Sequence, residues 1–157
     1  MTTVLTPDWL LADSLAPTVT DDLLGPLYAA GGRGELALPF CGACALPLDL
    51  DQQVCDGCGT AEVCWRPVDR TGTVHSATVM HRAEPGMVVA SDPSPILDVE
   101  LTSGHRLIMT TRARPDAVPR IGDRVTVAFR QVGGVPIPSV DLTVPRPPAL
   151  LTTEARP

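Results

Sequence analysis

The chain has 157 residues, 44% of them apolar, and a formal net charge of −6. This length allows one compact domain with a small satellite and excludes two large domains. The acidic balance disfavours nucleic acids and other polyanions as partners, because their binding depends on lysine and arginine contacts with phosphates.

The basic residues are all of one kind, since the twelve cationic side chains are arginines and lysine is absent. Without a lysine side chain the protein cannot form a Schiff base with a carbonyl substrate in the usual way. Aldolase chemistry of the lysine type is therefore excluded on this chain.

The chain carries no sign of export or of membrane insertion. No apolar stretch is long enough to span a bilayer, and the first residues lack a basic region followed by an apolar core. We therefore expect a soluble, cytoplasmic protein with no membrane partner. Such a compartment keeps thiols reduced and free to bind metal.

The N-terminal region predicts an arm followed by a short helix. Residues 1–19 carry scattered prolines and small polar residues, which favour a flexible arm. Pro26 follows Gly25, and two glycines stand at 31–32, so a helix can begin at the proline and end at the glycines.

Two cysteine pairs follow the helix, with Cys41 and Cys44 in the first and Cys55 and Cys58 in the second. Two residues separate the members of each pair, and ten separate the pairs, so two tight turns on a short hairpin can direct four sulfurs at one ion. The spacing favours a tetrahedral Zn²⁺, and a closed four-sulfur shell favours a structural rather than a catalytic role. Two disulfides, unligated thiols and a rubredoxin-like iron remain alternatives.

The rest of the chain predicts strands. An exit strand is expected at 63–68, and stretches rich in Val, Ile and Thr are separated by turns at 102–105 and at Gly133-Gly134. A connection over 115–122 has room for one helical turn. The fold class is therefore mainly β, with a small rubredoxin-like zinc ribbon and a short helix ahead of a five-stranded OB-fold barrel. The five barrel strands are expected at 73–81, 96–101, 106–111, 124–131 and 135–143.

The order of these features resembles one family. A proline-started helix, the segment 34–38 (GELAL), the two cysteine pairs, Trp65, and the segments 71–74 (TGTV) and 79–82 (VMHR) are similar to zinc-ribbon-plus-OB-fold proteins that accompany thiolase-like enzymes. The resemblance spans residues 20–143. It implies a helix and zinc ribbon over 20–65 and a barrel over 66–143, followed by a flexible, proline-rich tail over 144–157.

The resemblance also implies a function. Members of the family are non-catalytic accessory subunits that bind thiolase-superfamily proteins acting on acyl-CoA. Their complexes form or cleave carbon–carbon bonds by acyl transfer or retro-aldol chemistry, including release of steroid side chains in lipid metabolism. We therefore expect a hetero-oligomer without activity of this chain alone, Zn²⁺ on the four cysteines, and acyl-CoA at the shared interface.

Three arginines are the candidates for contacts with the cofactor. Arg66, Arg82 and Arg112 are candidates for the CoA phosphates, because guanidinium groups suit phosphate oxygens. Two features depart from the family pattern. Phe40 stands where a basic residue often precedes the first ligand, and the loop over 83–95 is rich in proline.

Two other functions are compatible with parts of the sequence. Cys64 lies outside the four-cysteine set and can be paired in principle with His75, His81 or His105 as nucleophile and base, although a buried thiol beside Trp65 is the simpler interpretation.

Nucleic-acid binding is the alternative function of a zinc ribbon or an OB barrel. It is disfavoured by the acidic charge and by the shortage of aromatic residues on the barrel strands. Phe129 is the only one, and the alternation of the strand at 124–131 places it with Val125 and Val127 on the core face.

Overall fold

The computed structural model describes residues 8–142. One helix, α1, covers Gly25–Gly31, and a single 3₁₀ turn covers Asp13–Leu15. The other elements are strands, so the predicted fold class, mainly β with an OB barrel, is confirmed. The strands are β1 Leu36–Cys41, β2 Val63–Val68, β3 Thr71–Met80, β4 Ser94–Leu101, β5 Arg106–Met109, β6 Arg124–Val132 and β7 Val135–Leu142.

The barrel consists of five antiparallel strands in the order β5-β4-β3-β6-β7. A parallel bridge between Thr111 and Val140 joins the two ends of this sheet. There the Val140 amide donates to the Thr110 carbonyl, and the Arg112 amide donates to the Val140 carbonyl, both at 2.9 Å. The sheet therefore closes almost completely, as in an OB fold.

The alternation predicted for β6 agrees with the structure. Val125 and Val127 are buried, and Phe129 packs against the same core from a half-buried position. The turn between β6 and β7 uses Gly133 and Gly134, both with positive φ. Two successive left-handed residues suit a tight hairpin, and glycine adopts them without steric cost.

The ribbon shares its core with the barrel. β1 and β2 form an antiparallel pair that runs from Leu36–Val68 to Cys41–Val63. Leu36 and Leu38 belong to the same buried cluster as the barrel residue Val127, and Trp65 packs on that cluster. The ribbon is therefore packed directly on the barrel through apolar contacts.

The described part of the N-terminal region lies on the barrel, although the sequence predicted a flexible arm over 1–19. Residues 8–16, which we call the N-terminal strap, pair with the loop between β3 and β4 through an antiparallel bridge from Leu11 to Val88. Trp9 Nε1 donates to the Thr111 carbonyl at 3.0 Å. These contacts join residues 77 and 102 positions apart, so local sequence patterns do not predict them.

Several details differ from the sequence-based expectations. The connection over 115–122 contains turns and bends but no helical turn, because Pro119 has no amide to donate to the carbonyl of Pro115. β3 carries an irregularity between Val74 and Ser76, and it ends at Met80.

The division of the chain stays a prediction. The boundary expected between 65 and 66 falls inside β2, which pairs with β1 over its whole length. The tail over 144–157 lies outside the described residues. Between 8 and 142, no helix has both the length and the apolar character needed to cross a bilayer.

Candidate metal centre

The two cysteine pairs form two similar turns. In the first turn the Ala45 amide donates to the Cys41 carbonyl at 3.0 Å, and in the second the Gly59 amide donates to the Cys55 carbonyl at 2.8 Å. The residue after each second cysteine is left-handed, with φ of 61° at Ala45 and 74° at Gly59. Each turn therefore bends sharply enough to direct two sulfurs to the same side.

The four sulfurs of Cys41, Cys44, Cys55 and Cys58 lie within 4.8 Å of one another. The Sγ atoms of Cys41 and Cys58 are 3.5 Å apart, and so are those of Cys44 and Cys55. Tetrahedral zinc with bonds of about 2.3 Å separates its sulfurs by about 3.8 Å. A disulfide bond is only about 2.05 Å long, and all four cysteines are free. The geometry fits a metal ion and not two disulfides.

The neighbouring residues hold the turns in place. The Gly42 amide donates to the Glu62 carbonyl at 2.8 Å, which ties the first turn to the segment after the second. A Cβ at Gly57 would lie 2.3 Å from Leu46 Cδ1, so this exposed leucine side chain would have to move to admit a larger residue. Cys41 and Cys55 are buried, whereas Cys44 and Cys58 are exposed. The centre therefore lies at the surface end of the ribbon, with half of its ligands in the ribbon interior.

The thiol pKa values show that the sulfurs compete for protons. The Cys44 amide, which approaches Cys41 Sγ at 3.4 Å, lowers the pKa of Cys41 to about 6. The Leu46 amide lowers the pKa of Cys44, but the sulfurs of Cys41 and Cys55 raise it by more, to about 12. A divalent cation removes this conflict between neighbouring thiolates, so metal binding releases protons.

His105 connects the barrel to the metal-bearing strand, a role that the sequence did not reveal. Its Nε2 donates to the Pro39 carbonyl at 2.8 Å, and its Nδ1 accepts from the Ser103 hydroxyl at 2.9 Å. Its ring meets Phe40 edge to face, with centroids 4.8 Å apart. Burial lowers the pKa of His105, which favours the neutral ring, and in that ring Nδ1 carries no proton and accepts from Ser103.

Comparison with known proteins identifies the barrel. Residues 65–130 match the family described as "ChsH2, C-terminal OB-fold domain". This match, which covers less than half of the chain, confirms the resemblance predicted from the sequence. No curated protein matches the chain.

Two solved structures share the ChsH2-like fold. One is a chain of the "Ltp2-ChsH2(DUF35) aldolase", with 23% identity and a TM-score of 0.68 over 82% of this chain and 100% of that chain. The other is a protein of unknown function from the DUF35 family of Sulfolobus solfataricus, with 14% identity and a TM-score of 0.52 over 78% of this chain and 87% of that chain. At these identities the likeness shows the fold alone.

The three candidate arginines lie on different segments of the ribbon and the ChsH2-like barrel. Arg66, on β2, stacks over the Phe40 ring with its guanidinium carbon 5.4 Å from the centroid. Arg82 pairs with Glu84, and Arg112 Nε lies 2.8 Å from a carboxylate oxygen of Asp141. Two of the three are therefore already paired with carboxylates, and the assignment to CoA phosphates stays a prediction.

The alternative of a Cys64 nucleophile finds no partner in the part of the chain that the structure describes. Cys64 lies on β2 opposite Phe40 and forms no hydrogen bond with a histidine between residues 8 and 142. Both ring nitrogens of His105 are already occupied by Ser103 and Pro39. His75 approaches Glu100 instead, at 3.8 Å.

Proposed function

We propose that this chain is a non-catalytic accessory subunit of a thiolase-like enzyme that forms or cleaves a carbon–carbon bond in an acyl-CoA. The observation that carries the proposal is the match of residues 65–130 to the ChsH2 C-terminal OB-fold family. The likeness to a whole chain of the Ltp2–ChsH2 aldolase supports it, because that chain belongs to an aldolase and the likeness spans 82% of this chain.

The four cysteines serve this function as a structural Zn²⁺ site. Their sulfurs approach the spacing of a tetrahedral shell, and four protein ligands leave no coordination position for water or substrate. The metal would hold the two turns of the ribbon together, and the His105–Pro39 hydrogen bond connects the ribbon to the barrel. Metal-dependent folding of the ribbon would preserve the surface that the partner recognises.

Catalysis is assigned to the partner. Thiolase-type chemistry requires a poised nucleophile or base beside an oxyanion hole. Here four of the five cysteines converge on one site, and Cys64 has no histidine hydrogen bond within residues 8–142. The thiolase-like protein would carry the reacting groups, and this chain would help to assemble the complex and its substrate channel.

The nucleic-acid alternative is less well supported. All five aromatic residues lie within the described part of the chain, and each is half-buried rather than exposed. Exposed aromatic rings are the stacking platforms that OB folds offer to single strands. The N-terminal strap also covers the end of the barrel where OB folds usually bind such ligands, as described below.

The proposal is tested by isolating the tagged chain from its native host and identifying the protein that remains bound. We expect a thiolase-superfamily protein in stoichiometric amount, with an interface of about 1,600 Å² or more in the complex. A Cys41→Ser variant should lose this partner, whereas Cys64→Ser should retain it. Isolation of the chain alone, or with nucleic acid, would count against the proposal.

A further inference from the structure

The N-terminal strap lies across the part of the barrel where OB folds bind ligands. That site is bounded by the loop after the first barrel strand and the loop before the last. In this chain the Ala12 amide donates to the Met87 carbonyl at 2.9 Å, on the first loop. The Gly133 amide, in the second, donates to Asp13 Oδ1 at 3.1 Å. The strap therefore bridges both loops.

A buried ion pair fastens the start of the strap. Arg130 Nη1, on β6, lies 2.5 Å from Asp8 Oδ2, and the two side chains are only 9% and 1% exposed. The same Asp8 oxygen accepts from the Leu11 amide at 2.7 Å. A guanidinium buried to this extent requires an anionic partner, because an unpaired buried charge is strongly destabilising.

The ion pair leaves part of the surrounding polar surface unsatisfied. Within residues 8–142, five buried side-chain N and O atoms have no hydrogen-bond partner, and two of them belong to this pair. These atoms are Asp8 Oδ1, Arg130 Nε, Thr110 Oγ1, Thr111 Oγ1 and Ser139 Oγ. Buried polar groups normally have partners, so these atoms require a bound water, a ligand or a change of arrangement.

The strand register places these residues together. Ala128 pairs with Ser139, and Arg130 pairs with Ile137, so Arg130 and Ser139 are diagonal neighbours on one face. Thr111 is bridged to Val140, the residue after Ser139, and its carbonyl accepts from Trp9 of the strap. By the same register Thr110 lies beside Ser139, whereas Thr111 shares the inward face of the core residue Val140. The floor beneath the strap therefore offers a guanidinium Nε–H and two hydroxyls as donors.

We propose that the strap closes an oxyanion-binding site on the barrel and that Asp8 acts as its internal ligand. The ligand class is a carboxylate or phosphate group, because such groups accept several hydrogen bonds from a guanidinium and from hydroxyls at once. The inference does not depend on the proposed accessory function. It assigns to the barrel a ligand site that opens when residues 8–16 leave it.

Chemical rescue in the full-length protein tests the proposal. Asp8→Ala leaves Arg130 without its anion, so the melting temperature should fall, and added formate or phosphate should restore it in a saturable manner. Sodium chloride at equal ionic strength should not. Rescue by formate alone identifies a carboxylate site, and rescue by phosphate extends the class to phosphate. The matched control is Asp13→Ala, which removes the other strap carboxylate and should respond to formate no more than to chloride.

The proposal is overturned if formate and phosphate change the melting temperature of Asp8→Ala no more than they change that of wild type. It is also overturned if Asp8→Ala/Arg130→Met, which lacks both charges, is rescued equally well. Should Asp8→Ala fail to fold, amide exchange in wild-type protein decides. Phosphate should accelerate amide exchange at Ala12 and Val89, whose amides hold the strap. Exchange rates in phosphate that are no higher than those in chloride would contradict the proposal.

Discussion

The Nε2 atom of His105 lies 2.8 Å from the carbonyl oxygen of Pro39, and this hydrogen bond links the β4–β5 hairpin of the barrel to the strand that bears Cys41. The edge-to-face contact of the His105 ring with Phe40 reinforces the link. The ribbon and the barrel are thus joined by a polar contact in addition to their shared apolar core.

Replacing His105 should weaken this junction. His105→Ala removes a buried ring, two hydrogen bonds and the contact with Phe40, and should lower the free energy of unfolding by about 2–4 kcal/mol. Thermal or urea unfolding measures the loss. His75→Ala is the matched control, because His75 is exposed and should change stability by less than about 0.5 kcal/mol.

The same residue should give stability a pH dependence. Burial lowers the pKa of His105 below its ordinary value of 6.5, so the folded state binds fewer protons than the unfolded state. Its contribution is therefore complete above pH 6.5 and is lost as the pH falls towards the folded-state pKa. Urea unfolding should be measured across this range, with metal content verified. The free energy of unfolding should fall more steeply with decreasing pH in wild type than in His105→Ala. Parallel curves would contradict the assignment.

Loss of one sulfur from the four-cysteine set should release the metal. We expect one Zn²⁺ per wild-type chain and none in Cys41→Ser, whose ribbon should unfold, because structural zinc contributes on the order of 10 kcal/mol to small domains. Elemental analysis and circular dichroism measure both effects. Cys64→Ser should keep its metal. Iron in the purified protein, or a folded wild-type ribbon without metal, would refute the zinc assignment.

The left-handed position after the second cysteine of each turn is occupied by Ala45 in one turn and by Gly59 in the other, and this difference affects stability. Ala45 has φ of 61°, where glycine avoids a penalty of about 1–2 kcal/mol. Ala45→Gly should therefore raise the stability of the metal-bound protein by up to about 1 kcal/mol. Gly59→Ala, at the equivalent position, should lower it by about 1–2 kcal/mol through the backbone alone, since a Cβ there has no atom within 4 Å. Chelator-induced unfolding compares the two variants, and equal effects would contradict this interpretation.

Sequence patterns predicted the features that depend on local spacing. The CxxC pairs predicted the sulfur cluster, and the alternation of Val125 and Val127 predicted the inner face of β6. They did not predict the strap, because Asp8 and Arg130 are 122 residues apart and no local signal connects them. The structural role of His105 was missed for the same reason, since its partner Pro39 is 66 residues away.

The chain should bind single-stranded DNA or RNA weakly. Its net charge is −6, and its five aromatic residues are half-buried. We expect a dissociation constant of about 1 mM or weaker at physiological salt, measured by fluorescence anisotropy. Micromolar binding with a steep salt dependence would instead favour the nucleic-acid function.

The central claim is that this chain supports catalysis without performing it. The direct measurement is turnover of an acyl-CoA substrate by this chain, by the thiolase-like protein that co-purifies with it, and by the reconstituted complex. The account predicts no turnover by this chain and efficient turnover by the complex, unchanged when Cys64 is replaced by Ala. Turnover by the isolated chain that Cys64→Ala abolishes would contradict it.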